Sequence, residues 1–571
     1  MRGLFSSKNI VNLKSRYPLF LVLILAATAL LWSGVIGIGV NSDDYEGLAA
    51  AAPIHSSYDL IRPFIVPDPN PYYFRPVSAV TMSADFLLFG WNGPMFHLTS
   101  LLTHLIATLL VFYVSRDVFK LTIGEALCTT LAFGIAASHE LNLTVDAMRV
   151  DVVLAIFVLL TLILEYQARH RRSWLFRFFA LLSFIAAVLA KEVAIILPIL
   201  IPLVLSDPSV KDRFNWKQEV KRLTPYLLAA VVVYIYHAQF TGSPLNSEAL
   251  SAEGGHSIVA ALRNSAYALG YSILPLDLQT ATKIIGEYGM AALVTGAVLA
   301  AVFVWMLMRG NKDWRSLWKP IFFIILTGGV LAISFERWRI YLPSVGLFAL
   351  IVLLVNRNRS RTFKGIAIAA FVLLGFFHIF RALNAQAEWR ASTALKDKLL
   401  PQFSRILDSD KRRPLNLGIL LCPAKLGSAS VLMPDLGGVI QRVEADRISN
   451  RNRQDASIAG VNVDMWGAVN VFALDRKMGY SGLQWKKIDK HEYEVTATTP
   501  QLILYPFGSP SNGVARRDFR LQPGMTIRLP EVIDSICEVR SGAASRIRIR
   551  ILDTAALPIA YLPDSGFVVV R

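Results

Sequence analysis

The chain has 571 residues, of which 54% are hydrophobic and only 17% are charged. A soluble globular protein carries roughly 25% charged residues, so this composition, with a mean hydropathy of +0.47, excludes that class. The net charge of +17 does not indicate a nucleic-acid partner, because several runs exceed the roughly 18 apolar residues that mark a membrane helix. In such proteins Lys and Arg collect in the cytoplasmic loops. We therefore expect a polytopic membrane protein that binds no nucleic acid.

The N-terminus, "MRGLFSSKNIVNLKSRYPLF", carries four basic residues and no acid. The apolar run that follows, 18–40, is longer than the usual core of a signal peptide, and no small-x-small cleavage site precedes "NSDDYEGL". We predict an uncleaved first helix with its N-terminus in the cytoplasm.

The apolar runs predict about eleven transmembrane helices, at residues 18–40, 95–115, 121–138, 152–168, 174–190, 193–206, 224–240, 288–308, 320–335, 344–356 and 365–382. The loops predicted to be cytoplasmic are all net basic: 116–120, 169–177, 207–223, 309–319 and 357–364. The opposite loops lack dense basic clusters: 41–94, 139–151, 191–192, 241–287 and 336–343. This alternation follows the positive-inside rule, and an odd number of spans places the C-terminus outside.

The composition changes after residue 382. We predict a membrane domain over 1–382, an exit helix or linker over 383–400, and an extracytoplasmic domain over 401–571. Runs such as "EYEVTATT" and "RIRIRILD" alternate apolar and polar residues, which predicts a mixed α/β or β-rich fold. Cys422 and Cys537 both fall in this domain, where an oxidising compartment permits a disulfide, but the sequence leaves open whether they are bridged.

Ionisable residues cluster at the predicted outer ends of the spans. A charged side chain at the bilayer centre costs about 2.5–3.5 kcal/mol, so such residues usually face a protein interior or a water-filled cavity. We expect them to ring a cavity at the outer membrane boundary. Three segments, "HELNLTVDAMRVD", "AKEVA" and "SFERWRIYLPS", supply His139, Glu140, Asp146, Arg149, Lys191, Glu192, Glu336, Arg337 and Arg339.

The basic residues of the outer loops are exceptions to the positive-inside rule. They are Arg75, Arg149, Lys191, Arg337 and Arg339. Exceptions gathered on one face indicate a bound anion, and a lipid phosphate fits, because Arg and Lys supply charge-assisted donors at that depth. The alternative is that each base pairs with a nearby acid, such as Lys191 with Glu192 or Glu336 with Arg337.

Asp43 and Asp44 directly follow the first span and either keep a helix end in water or take part in catalysis. Adjacent side chains need not face the same way, so one acid would act while the other supports it. His97 and His104 are seven residues apart and share a helix face. His97 is near the outer end and would reach the cavity, whereas His104 is deeper and is expected to be packed. The pair His139 and Glu140 is too small a set to predict a metal.

Several segments together resemble the GT-C class of membrane glycosyltransferases. They are the acidic pair, "YFRPV", "ADFLLFGWNGPMFHLTSLLTHL", "DAMRVDVVLAIFVLL", "LAKEVAIILPILI" and "ERWRIYLPSVGL", in this order over residues 18–400. The closest likeness is to the dolichyl-phosphate-mannose protein mannosyltransferases of the tetratricopeptide-bearing transmembrane type. This chain lacks the tetratricopeptide repeats. It also carries Asp-Asp where the protein O-mannosyltransferases and the aminoarabinose transferase of lipid A carry Asp-Glu.

The resemblance implies an inverting glycosyltransferase that moves one sugar from a polyprenyl-phosphate carrier to an acceptor hydroxyl of a protein, envelope glycan or lipid. It places the reaction at the outer face of the bacterial inner (plasma) membrane, with the C-terminal domain periplasmic or extracellular. Asp43 matches the general base of such enzymes, and Arg75 matches a contact to the donor phosphate. No cofactor is required, although some similar enzymes use a divalent metal.

Two other classes of function remain open. A transporter or lipid flippase also needs many spans and buried charge, but it places substrate groups near the bilayer midplane and often has internal repeats. A non-catalytic envelope-assembly protein would not need the acidic pair. The sequence leaves the sugar, the acceptor, the linkage and the oligomeric state open.

Overall fold

The computed structural model describes a helical part and a strand-rich part. The described residues are 7–41, 44, 56–66, 74–205, 216–241, 258–275, 317–333, 337–357, 361–409 and the strands given below. The helices are α1 Ser7–Trp32, α2 Arg62–Ile65, α3 Pro76–Phe89, α4 Gly93–Tyr113, α5 Ile123–Gly134, α6 Glu140–Thr144, α7 Arg149–Arg171, α8 Trp174–Ala190, α9 Leu197–Leu205, α10 Trp216–Thr241, α11 Ile258–Ile273, α12 Trp318–Ile333, α13 Tyr341–Arg357 and α14 Arg361–Ser409.

The chain divides into two compact units. The membrane unit consists of Met1–Ile36, Ala50–Ser251 and Gly255–Gln386, and the C-terminal unit of Gly37–Ala49, Ala252–Gly254 and Ala387–Arg571. The residues that follow the first span therefore group with the C-terminal unit, which the sequence did not indicate. The predicted domain limits at 382 and 401 stay predictions.

Among the described residues, six segments are long and apolar enough to cross a membrane: Arg16–Gly37, Gly93–Val118, Asp146–Arg171, Lys217–Phe240, Arg337–Arg357 and Arg361–Gln402. Shorter apolar helices lie at Pro76–Phe89, Ile123–Gly134, Trp174–Ala190, Glu192–Leu205 and Trp318–Gly329. These helices confirm the prediction of a helical integral membrane protein. The count of eleven spans stays a prediction, and the predicted span 288–308 lies outside the described residues.

Five of the predicted site residues, His139, Asp146, Glu192, Arg337 and Arg339, lie in four short 3₁₀ turns that lead into helices. The turns are Ala137–His139 before α6, Asp146–Met148 before α7, Glu192–Ile196 before α9 and Arg337–Ile340 before α13. Arg75 occupies the equivalent place before α3, as the N-cap residue ahead of Pro76. Proline suits the first helical turn because its missing N–H has no helical partner there. The site residues therefore lie where helices begin.

The helices of the membrane unit pack closely through a core of large apolar side chains. The Trp32 Nε1 group donates to the backbone oxygen of Gly134 at 2.9 Å, which ties α1 to α5 in the interior. Helices α12 and α13 are in close contact at Gly346. A Cβ atom placed there would lie 2.8 Å from the backbone oxygen of Pro320 and 2.9 Å from Ile324 Cγ1. This helix contact therefore depends on the missing side chain.

The C-terminal unit contains two sheets in its described part. The strands are β1 Leu415–Leu426, β2 Ala429–Ser430, β3 Val461–Phe472, β4 Leu483–Asp489, β5 Glu492–Ala497, β6 Ile503–Leu504, β7 Thr526–Arg528, β8 Val532–Arg540, β9 Ala543–Ile551, β10 Leu557–Leu562 and β11 Gly566–Val569. One sheet has the order β11-β10-β1-β3-β6, with β2 beside β1, and the other has the order β4-β5-β9-β8-β7.

The first sheet is mixed. Strand β1 runs parallel to both β10 and β3, with Leu417 paired to Leu557 and to Val463, whereas β2, β11 and β6 pair antiparallel with their neighbours. The pairs of the second sheet are all antiparallel among the described strands. Cys422 belongs to β1 and Cys537 to β8, so they lie in different sheets. Their side chains are outside the described residues.

Gly346→Ala is expected to destabilise the membrane unit by about 1–3 kcal/mol, because the new methyl group forces α12 and α13 apart. Thermal unfolding of the detergent-solubilised protein measures the effect. Gly329→Ala on α12 is the matched control, since a Cβ atom there meets nothing within 4 Å. Equal melting temperatures for the two variants would contradict the tight contact at Gly346.

Candidate functional site

The acidic segment after the first span packs along one face of α14, within the C-terminal unit. The Gly39 N–H donates to Thr393 Oγ1 at 3.0 Å, and Lys396 Nζ donates to Asn41 Oδ1 at 2.7 Å. Thr393 and Lys396 are three residues apart and so share a helix face. A Cβ atom on Gly39 would lie 2.9 Å from Thr393 Cγ2, so this close approach requires glycine.

Asp44 is buried and is bonded back into the same segment. The Asn41 N–H donates to Asp44 Oδ2 at 3.1 Å, and the Lys396 ammonium group is near enough to attract the carboxylate. Asp43, the predicted general base, lies outside the described residues, as does Glu46. The catalytic role of Asp43 and the supporting role of Asp44 therefore stay predictions.

Lys191 lies between α8 and α9 and pairs with Asp151 on α7. Its Nζ donates to both carboxylate oxygens, at 2.7 and 2.8 Å. Lys191 therefore does pair with an acid, as the alternative predicted, but the acid is Asp151 and not Glu192. Burial lowers the pKa of Lys191 from its usual value, and attraction to Asp151 opposes this effect. The positive charges of Arg75 and Arg339 lower that pKa further. Arg339 lines the same cavity as Lys191, and Arg75 bonds Glu192, the residue next to Lys191.

Arg75 pairs with Glu192 through two hydrogen bonds. Its Nε donates to one carboxylate oxygen at 2.9 Å, and a terminal nitrogen donates to the other at 2.5 Å. The guanidinium group is mostly buried, whereas the Glu192 side chain is 46% exposed. This two-bond geometry fixes Arg75 beside Lys191 while leaving the pair accessible from one side.

A small cavity of about 30 Å³ adjoins Lys191 in the membrane unit. Its polar end is formed by Asp151, Lys191 and Arg339, and its remaining lining is largely apolar and includes Leu154, Val158, Val193, Leu197, Leu200 and Leu342. Of the described charged residues in this cluster, Arg75, Lys191 and Arg339 are basic and Asp151 and Glu192 are acidic. A cavity of this size holds roughly one or two water molecules, so it adjoins the basic cluster but does not itself hold a lipid chain.

Arg149 belongs to a separate buried cluster. It forms an ion pair with Asp85 on α3 and lies 3.6 Å from Asp146 Oδ1, which also accepts a hydrogen bond from Ser100 at 2.7 Å. Asp146 Oδ2 and Arg149 Nε are buried and have no hydrogen-bond partner among the described residues. Such groups are uncommon and are usually completed by a ligand, ion or water.

His97 lies beside this cluster, with its Nδ1 atom 3.5 Å from Asp146 Oδ1 and 3.2 Å from the Leu143 backbone oxygen. Imidazole and carboxylate are both common ligands of divalent metals. These two side chains alone do not define a metal site, and the expectation that no cofactor is required, with a divalent metal allowed, stays untested.

Glu140 is shared by two arginines. Arg337 lies 3.3 Å and Arg381 3.5 Å from its carboxylate oxygens. The alternative partner predicted for Arg337, Glu336, lies outside the described residues. Glu140 is fully buried, so these two cations compensate a carboxylate that would otherwise be costly to bury.

His139 is buried among aromatic side chains. Its Nε2 atom lies 3.0 Å from Ser344 Oγ, and its ring centre lies 4.5 Å from that of Tyr341. Burial lowers the pKa of His139 well below its usual value, which keeps the ring neutral near pH 7. His104 is also fully buried, with hydrogen-bond contacts to Tyr341 and to the Gly134 backbone oxygen. Packing therefore accounts for both rings.

The membrane unit thus brings Arg75, Lys191 and Arg339 together but assigns Arg149 and Arg337 to other clusters. Two partners were missed from the sequence, Asp85 and Arg381. Each is a single charge within an apolar helical run, in "SADFLLF" and "HIFRAL". A lone charge in such a run is costly unless it is paired, and this signal would have found both.

No protein-family model matches the chain, and no curated protein matches it. Among solved structures, the chain is similar to the crystal structure of ArnT from Cupriavidus metallidurans bound to undecaprenyl phosphate. The similarity covers 77% of this chain and 89% of that chain, with 12% sequence identity and a TM-score of 0.42. These values do not establish a shared fold.

Lys191→Met is expected to lower the free energy of unfolding by about 3–5 kcal/mol, because it leaves the buried Asp151 carboxylate without its cation. Denaturant or thermal unfolding in detergent measures the change. The double variant Lys191→Met with Asp151→Asn removes both charges and should recover most of the loss. If the single and double variants are equally stable, the pair is not the stabilising contact described here.

Proposed function

We propose that the protein is an integral-membrane glycosyltransferase of the GT-C type. It transfers a sugar from a polyprenyl-phosphate carrier to an acceptor hydroxyl of a protein or envelope glycan, at the outer face of the membrane. The observation that carries the proposal is the cluster of Arg75, Lys191 and Arg339 beside a cavity with a largely apolar lining. A lipid phosphate supplies the anion that such a basic cluster attracts.

The proposed reaction is a single displacement. The acceptor hydroxyl attacks the anomeric carbon, the bond from that carbon to the phosphate oxygen breaks, and the configuration inverts. The Asp43 carboxylate takes the hydroxyl proton, as a general base. The leaving group is the polyprenyl phosphate, whose developing negative charge is stabilised by the fixed guanidinium and ammonium groups.

The contacts of the acidic segment support a positioning role for its neighbours. Gly39 and Asn41 are held on α14 by Thr393 and Lys396, and Asp44 is bonded to the Asn41 backbone. A general base must be fixed within hydrogen-bond reach of the proton that it takes. A segment anchored at several points just before residue 43 meets that requirement better than a mobile, solvent-exposed helix end would.

The rival classes fit these observations less well. A transporter would carry its charged groups near the bilayer midplane, whereas the clusters here lie in the short turns at helix starts. The function of a non-catalytic assembly protein would not require three basic residues beside a cavity in the membrane unit.

Asp43→Asn is expected to reduce transfer by roughly 10²–10⁴-fold, the usual contribution of a general base. The measurement uses the purified full-length protein, polyprenyl-phosphate sugars and envelope extract, with transfer followed by a labelled sugar. Glu46→Gln removes a nearby acid of the same segment and should leave transfer within about twofold. Unchanged transfer by the Asp43 variant would remove this residue from the role, and no transfer with any donor would favour the other classes.

Arg339→Ala is expected to raise the KM for the donor about tenfold to hundredfold with a smaller change in kcat, since a hydrogen bond to a charged group contributes about 1.5–3 kcal/mol. Steady-state kinetics at varied donor concentration give both constants. Arg62→Ala removes an exposed arginine of a predicted outer loop and serves as the control for lost charge. A fall in kcat alone, with the KM unchanged, would argue against donor binding by Arg339.

A further inference from the structure

The two acids of the cluster beside Lys191 differ in how far they are exposed to solvent. The Asp151 side chain is 4% exposed and pairs with the buried Lys191, whereas the Glu192 side chain is 46% exposed. A buried carboxylate that loses its cation is left uncompensated in a poorly solvated place. An exposed carboxylate that loses its cation is solvated by water instead. Of these two acids, only Glu192 can therefore exchange its partner at low cost.

Arg75 holds the Glu192 carboxylate by two hydrogen bonds, from its Nε and from one terminal nitrogen. The donor–acceptor distances are 2.9 and 2.5 Å, one to each carboxylate oxygen. Among the described residues, no other side chain donates a hydrogen bond to this carboxylate. Loss of the contact to Arg75 therefore releases the whole carboxylate to water.

The backbone at Arg75 is anchored by contacts that do not involve Glu192. The preceding residue, Phe74, is buried, and its ring stacks on an aromatic ring of α10 with the ring centres 4.3 Å apart. In the first turn of α3, Ser78 Oγ donates to the Ala190 backbone oxygen at the end of α8, at 2.9 Å. These contacts hold the chain on both sides of Arg75, so its backbone keeps its place when the Glu192 side chain turns away.

A carboxylate and a phosphate bind an arginine in the same way. Both accept two parallel hydrogen bonds from the guanidinium fork, so they compete for the same donors. The phosphodiester of a lipid-linked sugar carries one negative charge, as the Glu192 carboxylate does. Exchange of one anion for the other therefore adds no charge to the surroundings of Arg75, and the displaced carboxylate moves into water.

We propose that Glu192 is an internal competitor of the donor phosphate for Arg75. The carboxylate occupies the guanidinium group before the carrier binds, turns into water as the phosphate takes its place, and returns as the spent carrier leaves. Glu192 acts through Arg75 and does not touch the reacting atoms, so it is a positioning residue. This role rests on the proposed function and adds to it a limit on how tightly the carrier is held.

Binding of polyprenyl phosphate to the purified full-length protein in detergent, measured by microscale thermophoresis, tests the proposal. Glu192→Gln keeps the size of the side chain and removes its charge, and an exposed position tolerates this change. We expect the Kd to fall about tenfold, because a pair formed in about 90% of molecules leaves about one tenth of them ready to bind. An unchanged Kd overturns the proposal, and so does a higher one, since Glu192 would then help Arg75 to bind the phosphate.

The conservative variant Glu192→Asp retains the charge on a side chain that is one carbon shorter. Its Kd for polyprenyl phosphate is expected to stay within about threefold of the wild-type value, since a carboxylate still competes for Arg75. If Glu192→Asp binds as tightly as Glu192→Gln, the charge is not what competes, and the proposal is wrong.

Asp59→Asn is the matched control for a lost negative charge. Asp59 lies in the same predicted outer loop as Arg75 and accepts hydrogen bonds from the Ser56 N–H and Oγ groups, both at 2.9 Å. This variant is expected to bind polyprenyl phosphate like the wild type. If its Kd falls as far as that of Glu192→Gln, the overall charge explains both results and the competitor role is overturned.

Steady-state transfer separates competition from a merely structural role. Glu192→Gln is expected to lower the KM for the lipid-linked donor about tenfold and to strengthen inhibition by added polyprenyl phosphate by a similar factor. A structural role would instead lower kcat or raise the KM. A KM that rises, with weaker inhibition, contradicts the proposal.

Arg75→Met distinguishes a failure of the competitor role from a failure of the proposed function. It is expected to raise the Kd for polyprenyl phosphate about tenfold to hundredfold, and Glu192→Gln should have no further effect in that background. If Arg75→Met raises the Kd but Glu192→Gln alone leaves it unchanged, only the competitor role fails. If binding does not depend on Arg75 at all, the phosphate does not lie at this cluster and both proposals fail.

Discussion

The membrane unit depends on one constraint, that an ionised group removed from water must have an opposite charge close by. Lys191 meets Asp151, Arg149 meets Asp85, and Glu140 meets two arginines. Each pair joins elements far apart in sequence, so the pairs also fix how the helix starts are arranged. A buried pair is weak evidence for stability, but the loss of one member is severe. The polar clusters therefore help to hold together the helix starts that carry them.

The helices of the membrane unit were largely predictable, because a long apolar run between basic loops is typical of a membrane helix. Described helices overlap the predicted runs at 95–115, 152–168 and 174–190 within a few residues at each end. The ion-pair partners were not predictable in the same way. Lys191 stands next to Glu192 in sequence and yet bonds Asp151, since the turn into α9 directs neighbouring side chains apart.

Part of the candidate site depends on a contact that no local pattern reveals. The sequence placed "NSDDYEGL" outside the membrane but said nothing of Thr393 and Lys396, more than 350 residues later. In the sequence, Gly39 is an ordinary loop residue. Only the structure shows that the Thr393 side chain packs against it and leaves no room for a larger residue. Residue type at one position carries no information on which distant helix lies beside it, so this part required the structure.

The charge balance beside Lys191 bears on how a reaction cycle would end. A sugar linked to a lipid through phosphate is a diester with one negative charge, which the basic residues beside Lys191 attract. After transfer the carrier is a monoester, and a phosphate monoester holds about −1.5 to −2 charges at pH 7. The same basic residues attract this larger charge more strongly. Under the proposed function, the cluster that accepts the donor would therefore hold the spent carrier more tightly and slow its release.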